Sequence, residues 1–239
     1  MKITYCKKCL MPSSKPYLTF NEIGVCNACE SSEKKDKVEN PINWVEREKE
    51  FENLIQWVKE QKAPYYDAMV PVSGGKDSIT QVHRLLDKGL RILAINIDYG
   101  IKTDIGKYNL ERIPEMGANL VILRPELKLH KELIKIGLEE YGDPDLLSHT
   151  LLHAYPLHVA KQFKIPLCLL GENSAFEYGG EKDLADRTDI SRKYFNIYAA
   201  NKGMTAKVFS EKHAIPFDKL WQYDFPDEIE NDDSIRAMF

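Results

Sequence analysis

Two groups of residues in this chain have the types and spacing to do chemistry. The first is Ser73-Gly74-Gly75-Lys76-Asp77-Ser78, directly after the apolar run Ala68-Met69-Val70-Pro71-Val72. A buried strand entering a glycine turn, with a helix to follow, is the expected local structure, because Ile79, Val82, Leu85 and Leu86 share one helical stripe. Gly74 and Gly75 let the backbone turn tightly and approach a ligand with no Cβ in the way. The N–H groups of the turn and of the first helical turn then face an anion. Lys76 adds a point charge, Ser73 and Ser78 add hydroxyls, and Asp77 has the carboxylate to hold Mg²⁺ against phosphate oxygens. The set suits a pyrophosphate. It is not the nucleotide loop G-x-x-x-x-G-K-[ST], whose glycines stand farther apart. A glycine turn without a ligand is the bland alternative.

The second group is cysteine. Five occur, and four form the pairs Cys6/Cys9 and Cys26/Cys29, joined by residues 10–25. Each pair brings two thiolates within reach of one ion, and the spacer lets the pairs meet. Tetrahedral Zn²⁺ on four sulfurs is the natural occupant, structural because no coordination position stays open. Disulfides compete with it, as does an iron–sulfur cluster, although disulfides seldom persist in a cytosolic protein. Lys7 and Lys8 would offset part of the negative charge. Cys168, in the apolar run Ile165 to Leu170, reads as a buried core thiol.

The elements that must position these groups alternate. Apolar runs predict strands at 68–72, 91–98, 119–123 and 166–170, with helices over 76–88, 104–116, 127–140 and 146–163, the last kinked or divided at Pro156. Near-continuous apolar strands separated by helices imply an α/β fold, a doubly wound, mostly parallel sheet covered on both faces. The expected organisation is a cysteine module at 1–35 and a linker with an amphipathic helix at 36–64. The α/β domain at 65–222 and an acidic, solvated tail at 223–239 follow. Phe51, Leu54, Ile55 and Val58 mark the linker helix, which Pro64 should end.

In such sheets ligands bind beyond the carboxyl ends of the strands. Asp98 ends the second strand and is a candidate contact to nucleoside or Mg²⁺; capping the following turn is the equal alternative. The fourth strand runs into Glu172, Asn173 and then Glu177-Tyr178-Gly179-Gly180, a candidate substrate loop. Lys182, Asp183, Asp186, Arg187, Thr188 and Asp189 either meet a phosphorylated substrate or form a solvated face. His149, His153 and His158 lack a further ligand pattern and read as ordinary histidines. The net charge of −4 argues against a broad nucleic-acid surface. No apolar leader and no run of ~18 apolar residues is visible, so neither a signal peptide nor membrane insertion is expected, and the expected location is cytoplasmic.

The six-residue loop resembles the PP-loop of the ATP pyrophosphatases, which cleave ATP between its α and β phosphates and adenylate a carbonyl or amide oxygen. With the cysteine pairs, Gly171-Glu172-Asn173-Ser174 and Glu177-Tyr178-Gly179-Gly180, the chain resembles the N-acetyl sugar amidotransferase family of bacterial surface-polysaccharide, lipopolysaccharide and nonulosonic acid biosynthesis. That resemblance implies an adenine nucleotide alpha hydrolase-like fold, ATP with Mg²⁺, and an N-acetyl sugar whose acetamido group becomes acetamidino. It also implies ammonia from a separate glutaminase subunit, passed on by a cyclase-like barrel protein. The rivals are a PP-loop tRNA sulfurtransferase, which would need further reactive cysteines, and a non-catalytic nucleotide-binding zinc scaffold.

Overall fold

The computed structural model describes residues 3–15, 18–36, 43–173, 189–190, 194–196, 203–226 and 235–238. The chain divides into two compact units, residues 1–54 with 172–188, and residues 55–171 with 189–239.

Among its described residues, the first unit buries few side chains. Isolated antiparallel bridges join Tyr5 to Pro12 and Phe20 to Cys26, and helix α1 (Asn27–Asp36) follows. Among its described residues the buried ones are Cys6, Cys26 and Cys29, with Met11, Leu18, Phe20, Val25 and Ala28 packed partly against them.

Helix α2 (Trp44–Glu60) begins in the first unit and buries Ile55 and Val58 in the second. It stops before Pro64, and Lys62 takes a left-handed conformation with φ 50°. In the second unit, the Arg236 guanidinium lies 3.9 Å from the centre of the Trp57 ring, within cation–π range.

The second unit is built on a five-stranded sheet ordered β3-β2-β1-β4-β5. The strands and helices alternate as β1 (Ala68–Pro71), α3 (Lys76–Asp87), β2 (Ile92–Ile97), α4 (Asp104–Glu111), β3 (Asn119–Leu123), α5 (Leu127–Ile136), α6 (Leu146–Phe163) and β4 (Leu167–Leu169). Helix α7 (Ala206–His213) and β5 (Arg236–Met238) complete the series. Every pairing within the sheet is parallel, with Val70 opposite Ala94, Met69 opposite Cys168 and Cys168 opposite Ala237. The doubly wound α/β expectation therefore holds. β1 and β2 are central and buried, while α3 inserts Val82 and Leu85 and α6 inserts Leu147, Leu151 and Leu157.

Three expectations need correction. Of the two outcomes expected at Pro156, division does not occur: α6 runs unbroken from Leu146 to Phe163. The proline has no N–H for the carbonyl of Leu152, a residue on the solvent side where water can serve it. β3 is not covered on both faces: it is the sheet edge, and Val121 and Ile122 are 40% and 49% exposed. The chain's end is not wholly a solvated tail, because Arg236–Met238 pairs with β4 and Tyr223 and Phe225 are buried. Among the described residues, no helix is long and apolar enough to cross a membrane.

Candidate functional site

Strand order reverses between β1 and β4, since β2 and β3 lie on one side of β1 and β4 and β5 on the other. The carboxyl end of β1 at such a switch point is where an open α/β sheet presents a crevice. Residues 73–78 sit there: 73–75 join β1 to α3, and Lys76, Asp77 and Ser78 open the first turn of α3.

The loop is held by its neighbours. Gly74 has φ +85°, and a Cβ on it would stand 2.3 Å from the carbonyl oxygen of Gly106 in α4. Both the left-handed backbone and the close approach of α4 therefore require glycine. Asn109, one turn further along α4, donates from Nδ2 to the Gly74 carbonyl at 2.8 Å. The Gly75 N–H donates to Ser73 Oγ at 3.2 Å, and Ser78 Oγ donates to the Gly75 carbonyl at 3.2 Å. Gly75 is the N-cap of α3 and offers no side-chain cap, so the helix N-terminus remains a donor surface.

Charge on the loop is self-compensated. Lys76 Nζ lies 2.6 Å from Asp77 Oδ1, and both side chains are exposed. The hydrogen bond and charge of Asp77 raise the Lys76 ammonium above its usual range. Lys76 and Asp77 are thus ion-paired rather than separately available.

Asp98, at the end of β2, shows the turn-capping arrangement. Its Oδ1 meets Lys102 and accepts from the Gly100 N–H at 3.0 Å, and its Oδ2 accepts from Arg124 Nε at 2.9 Å. The Lys102 hydrogen bond, with help from Gly100 and Arg124 against the opposing burial, holds the carboxyl at about 2. Both oxygens have partners, so a Mg²⁺ at Asp98 would have to displace a cation. The next residue, Tyr99, donates to the Ser148 carbonyl at 2.7 Å and stacks on His130 at 4.7 Å between ring centres.

Three residues that the sequence reading did not single out shape this end of the sheet. Asn96 Nδ2 donates to the Val72 carbonyl at 2.6 Å, Asn109 to Gly74, and Gln81 Nε2 to the Leu170 carbonyl at 2.9 Å. Asn96 carried a usable signal, as the one polar residue in the buried run Ile92–Ile97. Asn109 and Gln81 carried none.

The cysteine pairs do come together. The four Sγ atoms of Cys6, Cys9, Cys26 and Cys29 all lie within 4.8 Å of one another, with Cys9–Cys26 at 3.6 Å and Cys6–Cys29 at 4.0 Å. A disulfide would bring sulfurs to about 2 Å. A tetrahedral ion with metal–sulfur bonds of about 2.3 Å places its sulfurs about 3.8 Å apart, close to the separations seen here. Backbone N–H groups of Lys8, Cys9 and Cys26 point at Cys6 Sγ from 3.3–3.5 Å. Burial pushes the Cys6 thiol up, but these donors outweigh it and leave the group lowered to about 6. Four converging sulfurs, one of them met by three backbone donors, fit a bound metal ion. Lys8 pairs with Glu33 at 2.7 Å at the rim of this module.

The remaining candidates fall elsewhere. Cys168 is fully buried, and burial pushes its thiol up to about 12. His153 Nδ1 lies 3.0 Å from the His149 carbonyl, and burial, with His149 beside it, lowers its imidazole to about 4. His158 Nε2 is 2.8 Å from the Asp224 carbonyl. Among the described residues, no set of three or more ligands other than the cysteines could hold a metal. Glu172 and Asn173 belong to the first unit. Glu177, Tyr178, Gly179 and Gly180 lie outside the described residues, as do 182–188; Asp189 bridges to Met238.

No family model matches the chain, and no curated protein matches it. Among solved structures, NMN synthetase from Francisella tularensis is similar at 13% identity, with a TM-score of 0.41 over 75% of this chain and 78% of that one.

Proposed function

We propose that this chain is an AMP-forming, ATP-dependent enzyme that seats the leaving pyrophosphate of ATP on residues 73–78. The observation that carries the reading is the glycine loop at the switch point, tied back by α4 and opening onto an uncapped helix N-terminus beside Lys76. Donors fixed before the ligand arrives need no reorganisation when charge develops on a leaving group. An arriving phosphate competes with Asp77 for the Lys76 ammonium. Asp77, once released, is the carboxylate placed to hold Mg²⁺, whose charge would offset that of the phosphate oxygens. Asp98 keeps its turn in shape and stays with Lys102 and Arg124.

The substrate that fits the resemblance is a nucleotide-linked N-acetyl sugar. Its amide oxygen attacks the α-phosphorus and pyrophosphate leaves. Ammonia then adds to the activated carbon, AMP departs with the former amide oxygen, and an acetamidino group remains. None of the five cysteines is placed as a glutaminase nucleophile, because four form the metal set and Cys168 is buried. Ammonia therefore comes from a separate glutaminase, with the barrel protein as its conduit. The same burial of Cys168 weighs against a sulfurtransferase. We read the cysteine set as structural zinc, since four sulfurs leave no position for substrate.

The experiment is a screen of nucleotide-linked N-acetyl sugars with MgATP and ammonium at alkaline pH, followed by mass spectrometry. The expected product has one oxygen replaced by NH, and AMP appears in equal amount. AMP formation that depends on tRNA, or ADP as the product, contradicts the reading.

A further inference from the structure

Three side-chain amides at the carboxyl end of the sheet share a pattern. Each gives an N–H to a backbone carbonyl: Asn96 of β2 to Val72, Asn109 of α4 to Gly74, and Gln81 of α3 to Leu170. These carbonyls lie just past β1, within the loop, and just past β4, on the two sides of the switch point. Two of the amides hold this orientation at a cost. Asn96 Oδ1 and Gln81 Oε1 are buried without a hydrogen-bond partner among the described residues. A buried acceptor left unpaired forfeits its hydration without a replacement. Turning either amide over would set oxygen against oxygen, so the carbonyl dictates the orientation.

A peptide group points its C=O and its N–H in opposite directions. Pinning the carbonyls of Val72 and Gly74 therefore fixes the N–H directions of Ser73 and Gly75. The Gly75 N–H is already turned to Ser73 Oγ. With no side chain at position 74 or 75, the Gly74–Gly75 peptide turns over with little steric resistance. A reversed Gly74 peptide would bring a carbonyl oxygen to the surface where the anion is to bind.

We propose that Asn96, Asn109 and Gln81 are positioning residues that hold three carbonyls away from the crevice and keep the loop in its anion-accepting state. The ligand class is a polyphosphate, and the proposal rests on the reading of residues 73–78 as a pyrophosphate site. Asn109 is the member to test, since it bonds within the loop itself. Asn109→Asp sets a carboxylate oxygen against the Gly74 carbonyl and drives that peptide to turn; Asn109→Ala only removes the donor.

The experiment is calorimetric titration of the full chain with inorganic pyrophosphate and, separately, with AMP, both with Mg²⁺, alongside thermal unfolding. The wild type is expected to bind pyrophosphate. Asn109→Asp should weaken that binding by about tenfold or more, and Asn109→Ala by several-fold, the size of one lost neutral hydrogen bond. AMP affinity should stay as in the wild type, because AMP lacks the phosphates that meet the loop. Pyrophosphate affinity unchanged in both variants overturns the clamp while leaving the loop assignment intact. Parallel loss of pyrophosphate and AMP binding with a lowered melting temperature also overturns it, in favour of a purely structural role. Absence of pyrophosphate binding by the wild type overturns the loop assignment and the clamp with it.

Discussion

The two compact units keep their order by different means. In the first, the buried centre is Cys6, Cys26 and Cys29, with a few half-buried apolar side chains around them. In the second, β2 is buried from end to end and β1 over Ala68–Val70, and helices cover them with Val82, Leu85, Leu147, Leu151 and Leu157. Sulfurs placed like these could be held together by an ion. A core of leucine and valine is held by removal of apolar surface from water. The candidate chemistry belongs to the second kind, where a rigid sheet can fix a loop.

The largest expected effect separates the units. Structural zinc in small peptides contributes about 10–16 kcal/mol of apparent binding free energy at pH 7. Chelation, or Cys26→Ser, should therefore abolish hydrogen-exchange protection over residues 5–30. Protection over β1 and β2 should persist. Loss of protection in both units would show that the sheet also depends on the metal. Elemental analysis should find one zinc per chain.

The converse change acts on the other unit. Leu151 is fully buried in α6, and Leu151→Ala should lower the stability of the sheet unit by about 2–5 kcal/mol. Metal content should not change. A variant that loses zinc along with stability would collapse the distinction.

A smaller effect comes from Asp67, which precedes β1. Its carboxylate accepts from Arg91 Nε at 3.0 Å, from the second Arg91 nitrogen at 2.7 Å and from the Arg91 backbone N–H at 2.8 Å. Burial pushes the carboxyl up, but the Arg91 hydrogen bonds and charge more than offset it, and the group lies below its usual range. A carboxyl depressed in the folded state stabilises fully above its unfolded value, and that contribution fades as pH falls through the folded one. Asp67→Asn should cost about 1–2 kcal/mol near neutrality, since Arg91 is half-exposed and screened. It should also flatten the fall of the urea midpoint below pH ~4. A variant midpoint that tracks the wild type from pH 7 to pH 2 would remove this ion pair from the account.

The smallest effect on stability belongs to the residues with the largest proposed effect on rate. Lys76 and Asp77 pair in the open, so Lys76→Ala should leave the unfolding midpoint unchanged. AMP formation should fall by roughly 10²–10³, as for loss of one charge-stabilising contact. Equal losses of rate and stability would mean that Lys76 supports the fold instead.

What could be read from the chain was local. The loop is six contiguous residues behind an apolar strand, and the cysteine pairs repeat one short spacing. β3 was found with its bounds, but Asn119–Leu123 reads alike as an inner or an edge strand, so its exposure stayed hidden. β5 escaped because Arg236–Met238 is short and follows an acidic stretch. The amide clamps join residues 24, 35 and 89 positions apart, and Asp98 meets Arg124 across 26. No periodicity encodes such contacts. The Lys76–Asp77 pair is adjacent in sequence, but adjacency alone does not show whether the two side chains meet each other or a ligand.

The central claim is that residues 73–78 receive a pyrophosphate. Hydrogen exchange of the full chain, with and without inorganic pyrophosphate and Mg²⁺, tests it most directly. The account predicts slowed exchange over residues 73–79 in the wild type and none in Lys76→Ala. Unchanged exchange there in the wild type, or protection confined to another segment, would contradict it.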